Sequence, residues 1–203
     1  MEHTVNQITV RGSLQELPVF SHENHGKNFY RFTLDIPRLS GAVDSLPVVA
    51  SEAVMNTIDL SGGQMLTVTG QIRSHNSRHD GVRHLLIFIF ANAIFSEDAE
   101  PMNEVIITGP ICKEPVFRRT PLGREICDLM LAVPRAFKRA DYLPCILWGR
   151  TAQEISRCHI RDRICIQGRL QSRNYTKLTE NGPVERTAYE ISALSAQIME
   201  DCL

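Results

Sequence analysis

Arg169, Gln171, Arg173 and Tyr175 alternate along Gly168-Arg-Leu-Gln-Ser-Arg-Asn-Tyr175. The two-residue period of a strand puts all four on the face opposite Leu170, away from a core. Two further clusters repeat these residue types: Arg118 with Arg119, and Lys138-Arg139 with Tyr142, followed by Trp148-Gly-Arg150. Guanidinium groups interleaved with aromatic rings suit a flexible polyanion that carries planar bases. Bases stack on the rings at ~1–3 kcal/mol each while Arg and Lys follow the phosphates, and sequence is tolerated because every base has a π-face. Each residue also has a plainer reading. Trp148, taken alone at a strand end, reads first as a core residue, and scattered arginines read as a solvated face. Tyr175 in a polar hairpin is not explained by packing, and several basic or aromatic positions sharing one strand parity tilt the balance to binding.

Other chemistry is thin. Six of the seven histidines fall in the first half, including His22, His25, His75, His79 and His84. They have no partnering cysteines or clustered carboxylates, so no metal site is expected. No Ser/His/Asp order, phosphate-cradling glycine loop or paired-acid arrangement stands out, and neither an enzyme nor a cofactor is expected. Cys112, Cys127, Cys145, Cys158, Cys165 and Cys202 include no C-x-x-C pair and several interrupt apolar runs. They read as buried, reduced thiols. There is no basic-then-apolar leader, and the longest apolar run, Leu85–Ala91, is too short to span a bilayer. A cytoplasmic protein without membrane contact is expected.

The elements that carry these groups occur twice. At an offset of 97 residues, Asn6, Arg11 and Gly12 fall on Asn103, Thr108 and Gly109, while Pro18, Phe20 and Gly26 fall on Pro115, Phe117 and Gly123. Phe32, Leu34, Ile36, Pro37 and Arg38 fall on Leu129, Leu131, Val133, Pro134 and Arg135, and one insertion later Gly70 meets Gly168. This is a duplicated domain, with repeats over 1–98 and 103–203 and a short acidic, proline-marked linker at 96–101. In the second repeat, period-2 patterns predict strands at 105–109, 127–133, 143–148, 164–170 and from 186 to 192, running raggedly to 198. Thr151 followed by Glu154 predicts a capping box that opens a short helix over 151–158. The first repeat predicts strands at 7–12, 29–36, 46–50, 65–72 and 84–95, with a helix over 51–58 ended by Gly62-Gly63. Five strands with one helix between the third and fourth is the order of an OB-fold. The fold class is therefore all-β with one short helix per repeat: two tandem five-stranded Greek-key barrels.

The second repeat also resembles a known family. Asn103-Glu-Val-Ile-Ile-Thr-Gly109, Glu114-Pro115 with Arg119-Thr120 and Gly123, Leu131-Ala-Val133 with Arg135, Trp148-Gly-Arg150 with Ala152, and the run Gly168–Tyr175 resemble bacterial single-stranded DNA-binding proteins in order and spacing. The resemblance covers nearly all of 103–198 and implies that Trp148, Tyr142 and Tyr175 stack bases. It also implies an acidic-tipped Gly/Pro/Gln-rich tail that recruits replication proteins. Here Met199-Glu-Asp-Cys-Leu203 follows the last strand directly, so tail-mediated recruitment is not expected. A non-catalytic single-strand DNA binder in replication, recombination or repair is the leading expectation, with RNA open as a ligand. The alternative is an OB-fold adaptor, primosome-like, acting through protein contacts.

The two repeats differ where a ligand would touch. Trp148, Tyr142 and Tyr175 fall on Ser51, Ser45 and Ser77, while Arg118, Arg119, Lys138, Arg139, Arg169 and Arg173 fall on Ser21, His22, Gly41, Ala42, Gln71 and His75. Residues 1–102 carry 7 Lys+Arg against 11 Asp+Glu, or −4, and residues 103–203 carry 15 against 12, or +3. The second repeat is thus expected to bind DNA and the first to be mainly structural. A homodimer with four barrels is expected as well, since Leu85–Phe90 is apolar on both parities and one side should meet a neighbouring barrel.

Overall fold

A computed structural model describes residues 5–79, 82–179 and 182–199. Cys202 and the side chain of His79 lie outside the described residues. The first repeat forms β1 (Asn6–Leu14), β2 (Val19–Asn24), β3 (Lys27–Pro37), β4 (Val43–Ser51), α1 (Glu52–Met55), β5 (Met65–His79) and β6 (Val82–Ser96). The second forms β7 (Met102–Pro110), β8 (Val116–Arg119), β9 (Glu125–Arg135), β10 (Arg139–Trp148), α2 (Gly149–Ile155), β11 (Arg163–Thr179) and β12 (Gly182–Met199), with a 3-10 turn at Ala136–Lys138. In each repeat five strands close on themselves. β4 runs parallel to β6 through Val48 and Ile89, and β3 returns to β1 at Leu34 and Leu14. β10 likewise runs parallel to β12 through Cys145 and Ile191, and Ile111 bridges Leu131. These are two tandem OB-fold barrels.

The alternation that predicts the strands is the alternation that buries them. Ile8, Val10 and Leu14 of β1 and Leu46, Val48 and Ala50 of β4 point into the first core, as Leu129, Leu131 and Val133 of β9 do in the second. Gly70 and Gly168 fall at bulges where β5 and β11 cross β6 and β12. A Cβ there would strike the carbonyl of Phe90 or Ser192, so the crossing requires glycine.

Four local expectations change. Both repeats contain an extra short strand, β2 or β8, added to the edge of β3 or β9. The Thr151–Glu154 capping box does not form. Gly149, at φ 54°, turns the chain from β10 straight into α2, so the helix begins two residues before Thr151 with Trp148 at its N-cap and no side-chain cap. Glu154 pairs instead with Arg150 at 2.9 Å. In the first repeat the helix is a single turn: Ser51 Oγ caps it by accepting from Val54 N at 3.4 Å, and Asn56 ends it. Gly62-Gly63 lie beyond it in the turn into β5, where Gly63 takes φ 79° and its N–H donates to Leu14 O.

The barrels are joined edge to edge. β1 and β7 pair antiparallel from Asn6–Ile107 to Arg11–Met102, which makes one continuous 12-stranded sheet. Two buried carboxylates lock this seam reciprocally. Asp44 of the first barrel accepts from Ser172 N of the second at 2.7 Å and is held by Arg38, whose Nη2 also donates to Ser172 O at 3.0 Å. Asp141 of the second accepts from Ser74 N of the first at 2.7 Å and pairs with Arg73 and Arg135, each at 3.2 Å. Arg11 secures the linker through Glu97 at 2.6 Å and Glu100 O at 3.1 Å. The described cysteines are free thiols, with Cys127, Cys145 and Cys158 buried. Burial pushes the Cys127 thiol up to about 11 and raises Cys145 further. No group of three metal-binding side chains occurs among the described residues, and no described helix is long and apolar enough to cross a membrane.

Candidate functional site

On the second barrel, strands β8 to β12 enclose an open groove of about 820 Å³, room enough for a nucleotide-sized ligand. Trp148 stands at its wall because β10 ends there and α2 turns away. Its indole is 37% exposed, and Nε1 donates to Ser192 Oγ on β12 at 3.1 Å. The ring is therefore anchored by its edge, and the residue is not buried as core. Arg169, Gln171 and Arg173 enter the groove from β11 on the shared parity, with the Gln171 amide against the Arg169 guanidinium. Arg118 enters from β8 and is bound by Asp128 at 2.5 Å, a hydrogen bond that raises the guanidinium pKa. Arg173 lies 3.9 Å from Glu190.

These pairs leave the cations available. Arg118 and Arg173 are 51% and 60% exposed, and surface pairs of this kind are worth about 0–1 kcal/mol. An incoming phosphate can take over the guanidinium at little cost.

The structure gathers Trp148, Arg118, Arg169 and Arg173 in this groove. Tyr175 lies farther out on the β11–β12 hairpin, its ring 5.7 Å from the Arg173 guanidinium, where it extends the same surface. Arg119 and Arg150 are at the periphery, paired with Glu125 at 2.8 Å and with Glu154. Tyr142 is not brought to Trp148. It sits at the seam, where its backbone N donates to Ser74 Oγ at 2.7 Å. Lys138 stands on the exposed 3-10 turn, and Arg139 points to the first barrel, at a separate groove beside His22 and Phe29.

Sequence reasoning missed the acidic members Asp128 and Glu190, and it missed Arg38, which reaches this groove from the other barrel. One signal was available for Arg38. Arg38 and Asp44 recur unchanged at the offset of 97 as Arg135 and Asp141, although neither pair belongs to the apolar core.

The inward parity of β6, Ile87 and Ile89, is core, while the outward residues Leu86, Phe88 and Phe90 border the groove of their own barrel.

Comparison with known proteins follows the same lines. The model of the single-strand binding protein family matches residues 102–199. Single-stranded DNA-binding protein A of Bacillus subtilis (strain 168) is 33% identical over 107 residues, 49% of this chain and 60% of that protein. Single-stranded DNA-binding protein B of the same organism is 35% identical over 80 residues, covering 36% of this chain and 71% of that protein. The chain thus spans about 60% of the length of the first of these relatives. Among solved structures, the wild-type single-stranded DNA binding protein from Thermus aquaticus superposes with a TM-score of 0.79 at 21% identity, covering 97% of this chain and 94% of that one. At that identity the shared property is the fold, in both barrels.

Proposed function

The chain belongs to the single-strand binding protein family, and from this we propose that it binds single-stranded DNA through the groove of its second barrel, tolerantly of sequence and without catalysis. The observation that carries the reading is Trp148: a half-exposed indole, fixed by Ser192, beside Arg169 and two further arginines, Arg118 and Arg173, in exchangeable pairings. Bases stack on Trp148 and on Tyr175 while Arg118, Arg169 and Arg173 follow the phosphates. Asp128 and Glu190 hold the guanidinium groups in position until phosphates replace them. The protein acts in the cytoplasm on strands exposed in replication, recombination or repair, and two chains associate to bring four barrels together.

Trp148 is the chain's one tryptophan, so its emission reports this groove alone. Oligo-dT is expected to quench it, with binding that weakens with salt at a log–log slope of about −0.7 per phosphate contact. Unchanged emission together with no mobility shift would overturn the reading in favour of a protein-contact adaptor. Tighter binding to duplex than to oligo-dT would overturn it too.

A further inference from the structure

The two long hairpins touch each other across the seam. β5 and β11 run on past their pairing with β1 and β7, and their hairpins meet where His84 of β6 faces Arg186 of β12. Nη1 of Arg186 lies 2.8 Å from Nδ1 of His84 and 3.4 Å from Nε2, and both residues are half-buried.

The strand registers show that these are equivalent positions of the two repeats. His84 pairs with Ser77 as Arg186 pairs with Tyr175, and Ser77 falls on Tyr175 when the repeats are aligned. The β11–β12 hairpin is the longer of the two, so a constant offset does not bring the match out. Equivalent residues touch only at the axis that relates the repeats. The reciprocal contacts of Asp44 with Ser172 and Asp141 with Ser74 are the symmetric pair around it. Two arginines facing each other on such an axis would repel. A histidine against an arginine bonds on one condition: a guanidinium only donates, so the ring nitrogen it meets must hold a lone pair. An imidazolium has none, and it would set a second positive charge against the first.

Among the described residues of these strands, no carboxylate is placed to relieve that charge. His75 shares the face of His84 on its own hairpin, and Tyr175, Lys177 and Arg173 share the face of Arg186 on the other. Glu185 has the opposite parity, and Glu190 lies by Arg173 at 3.9 Å. Asp44 and Asp141, at the roots of the hairpins, are paired with Arg38 and with Arg73 and Arg135.

Tyr175 stands directly opposite Arg186 in the β11–β12 ladder, so the contact that fixes Arg186 also fixes the strand that presents this ring. We propose that His84 is a positioning residue for the Tyr175 hairpin, holding it across the seam only while its imidazole is neutral, so that acid releases the hairpin and weakens single-strand binding. The clasped hairpin meets the strand already ordered, whereas a released one must be ordered on binding, at a cost in affinity. Histidine is the side chain whose charge ordinarily changes between about pH 5 and pH 8, and the hydrogen bond is lost as pH falls through that range. The inference rests on the proposed ligand, single-stranded DNA.

Its test compares the unaltered full chain with His84→Gln, whose amide oxygen accepts from Arg186 and does not titrate, by filter binding to oligo-dT at about pH 8 and about pH 5.5. The other histidines titrate in both proteins, so the difference between the two isolates His84. Equal affinities are expected at the higher pH, and at the lower pH the unaltered chain should bind severalfold more weakly than His84→Gln. His84→Lys, with a fixed charge, should bind severalfold more weakly than the unaltered chain already at the higher pH. In a Tyr175→Ala background the gap in acid should close, which loss of a merely structural contact would not produce. Affinities that fall together, or an unaltered chain that binds more tightly than His84→Gln in acid, would overturn the proposal. Hydrogen exchange without DNA reads the contact itself. Residues 173–178 and 184–188 should exchange faster in the unaltered chain than in His84→Gln at about pH 5.5, and equal exchange there would overturn the clasp while leaving the proposed function standing. No binding of oligo-dT by the unaltered chain at either pH would sink the proposed function and this regulation with it.

Discussion

Asp141→Ala should loosen the joint between the barrels, and the structure sets the size of the effect. The carboxylate is fully buried, accepts from Ser74 N at 2.7 Å, and pairs with both Arg73 and Arg135. Removing it leaves two guanidinium groups, 18% and 30% exposed, facing each other without a counter-charge. Burial first, and then the neighbouring charge of Arg135, already lower the Arg73 pKa. Breaking a buried pair from one side costs about 3–5 kcal/mol, and in a chain of this length about 1 kcal/mol moves Tm by roughly 2–4 °C. The expected fall is therefore roughly 6–20 °C by circular dichroism at pH 7. Asp44→Ala should fall less, because Asp44 holds the single guanidinium of Arg38. The loss should persist in 0.5 M NaCl, since buried charges are poorly screened. A Tm within 2 °C of the unaltered protein, or an Asp44→Ala loss larger than that of Asp141→Ala, would refute the argument that paired arginines make the second lock the more sensitive.

Trp148→Ala with Tyr175→Ala removes two stacks of ~1–3 kcal/mol, so oligo-dT affinity should fall by roughly 30-fold to 10⁴-fold in a filter-binding or anisotropy assay; a loss under threefold would contradict the groove. Cys127 and Cys145 should resist a thiol reagent at pH 8 in the native protein, because burial raises both pKa values and keeps them as protonated thiols until well above that pH. Labelling counted by mass before and after denaturation checks this. Light scattering at micromolar concentration should give twice the 22.9 kDa chain mass, and a monomer there would remove the four-barrel assembly.

The duplication and the barrel order were legible because each depends on local pattern. A strand with one buried face must alternate, so Leu129, Leu131 and Val133 mark β9 as plainly as Phe32, Leu34 and Ile36 mark β3. The strand-four arginines were legible for the same reason, since parity alone places Arg169 and Arg173 opposite Leu170. Boundaries were less legible. The Thr151–Glu154 spacing fits a capping box, but a glycine at positive φ starts the helix earlier, and spacing carries no information on backbone dihedrals.

What only the tertiary structure decided is which groove each cation serves. Arg139 lies nine residues before Trp148 yet belongs to the first barrel's groove, while Arg38, in the other repeat, reaches the groove of Trp148. The reason is the β1–β7 pairing, which sets the barrels edge to edge and turns the β3–β4 and β9–β10 connections across the seam. The sequence by itself determines which faces are apolar and which are charged; only the packing of one barrel against the other determines which of those faces meet.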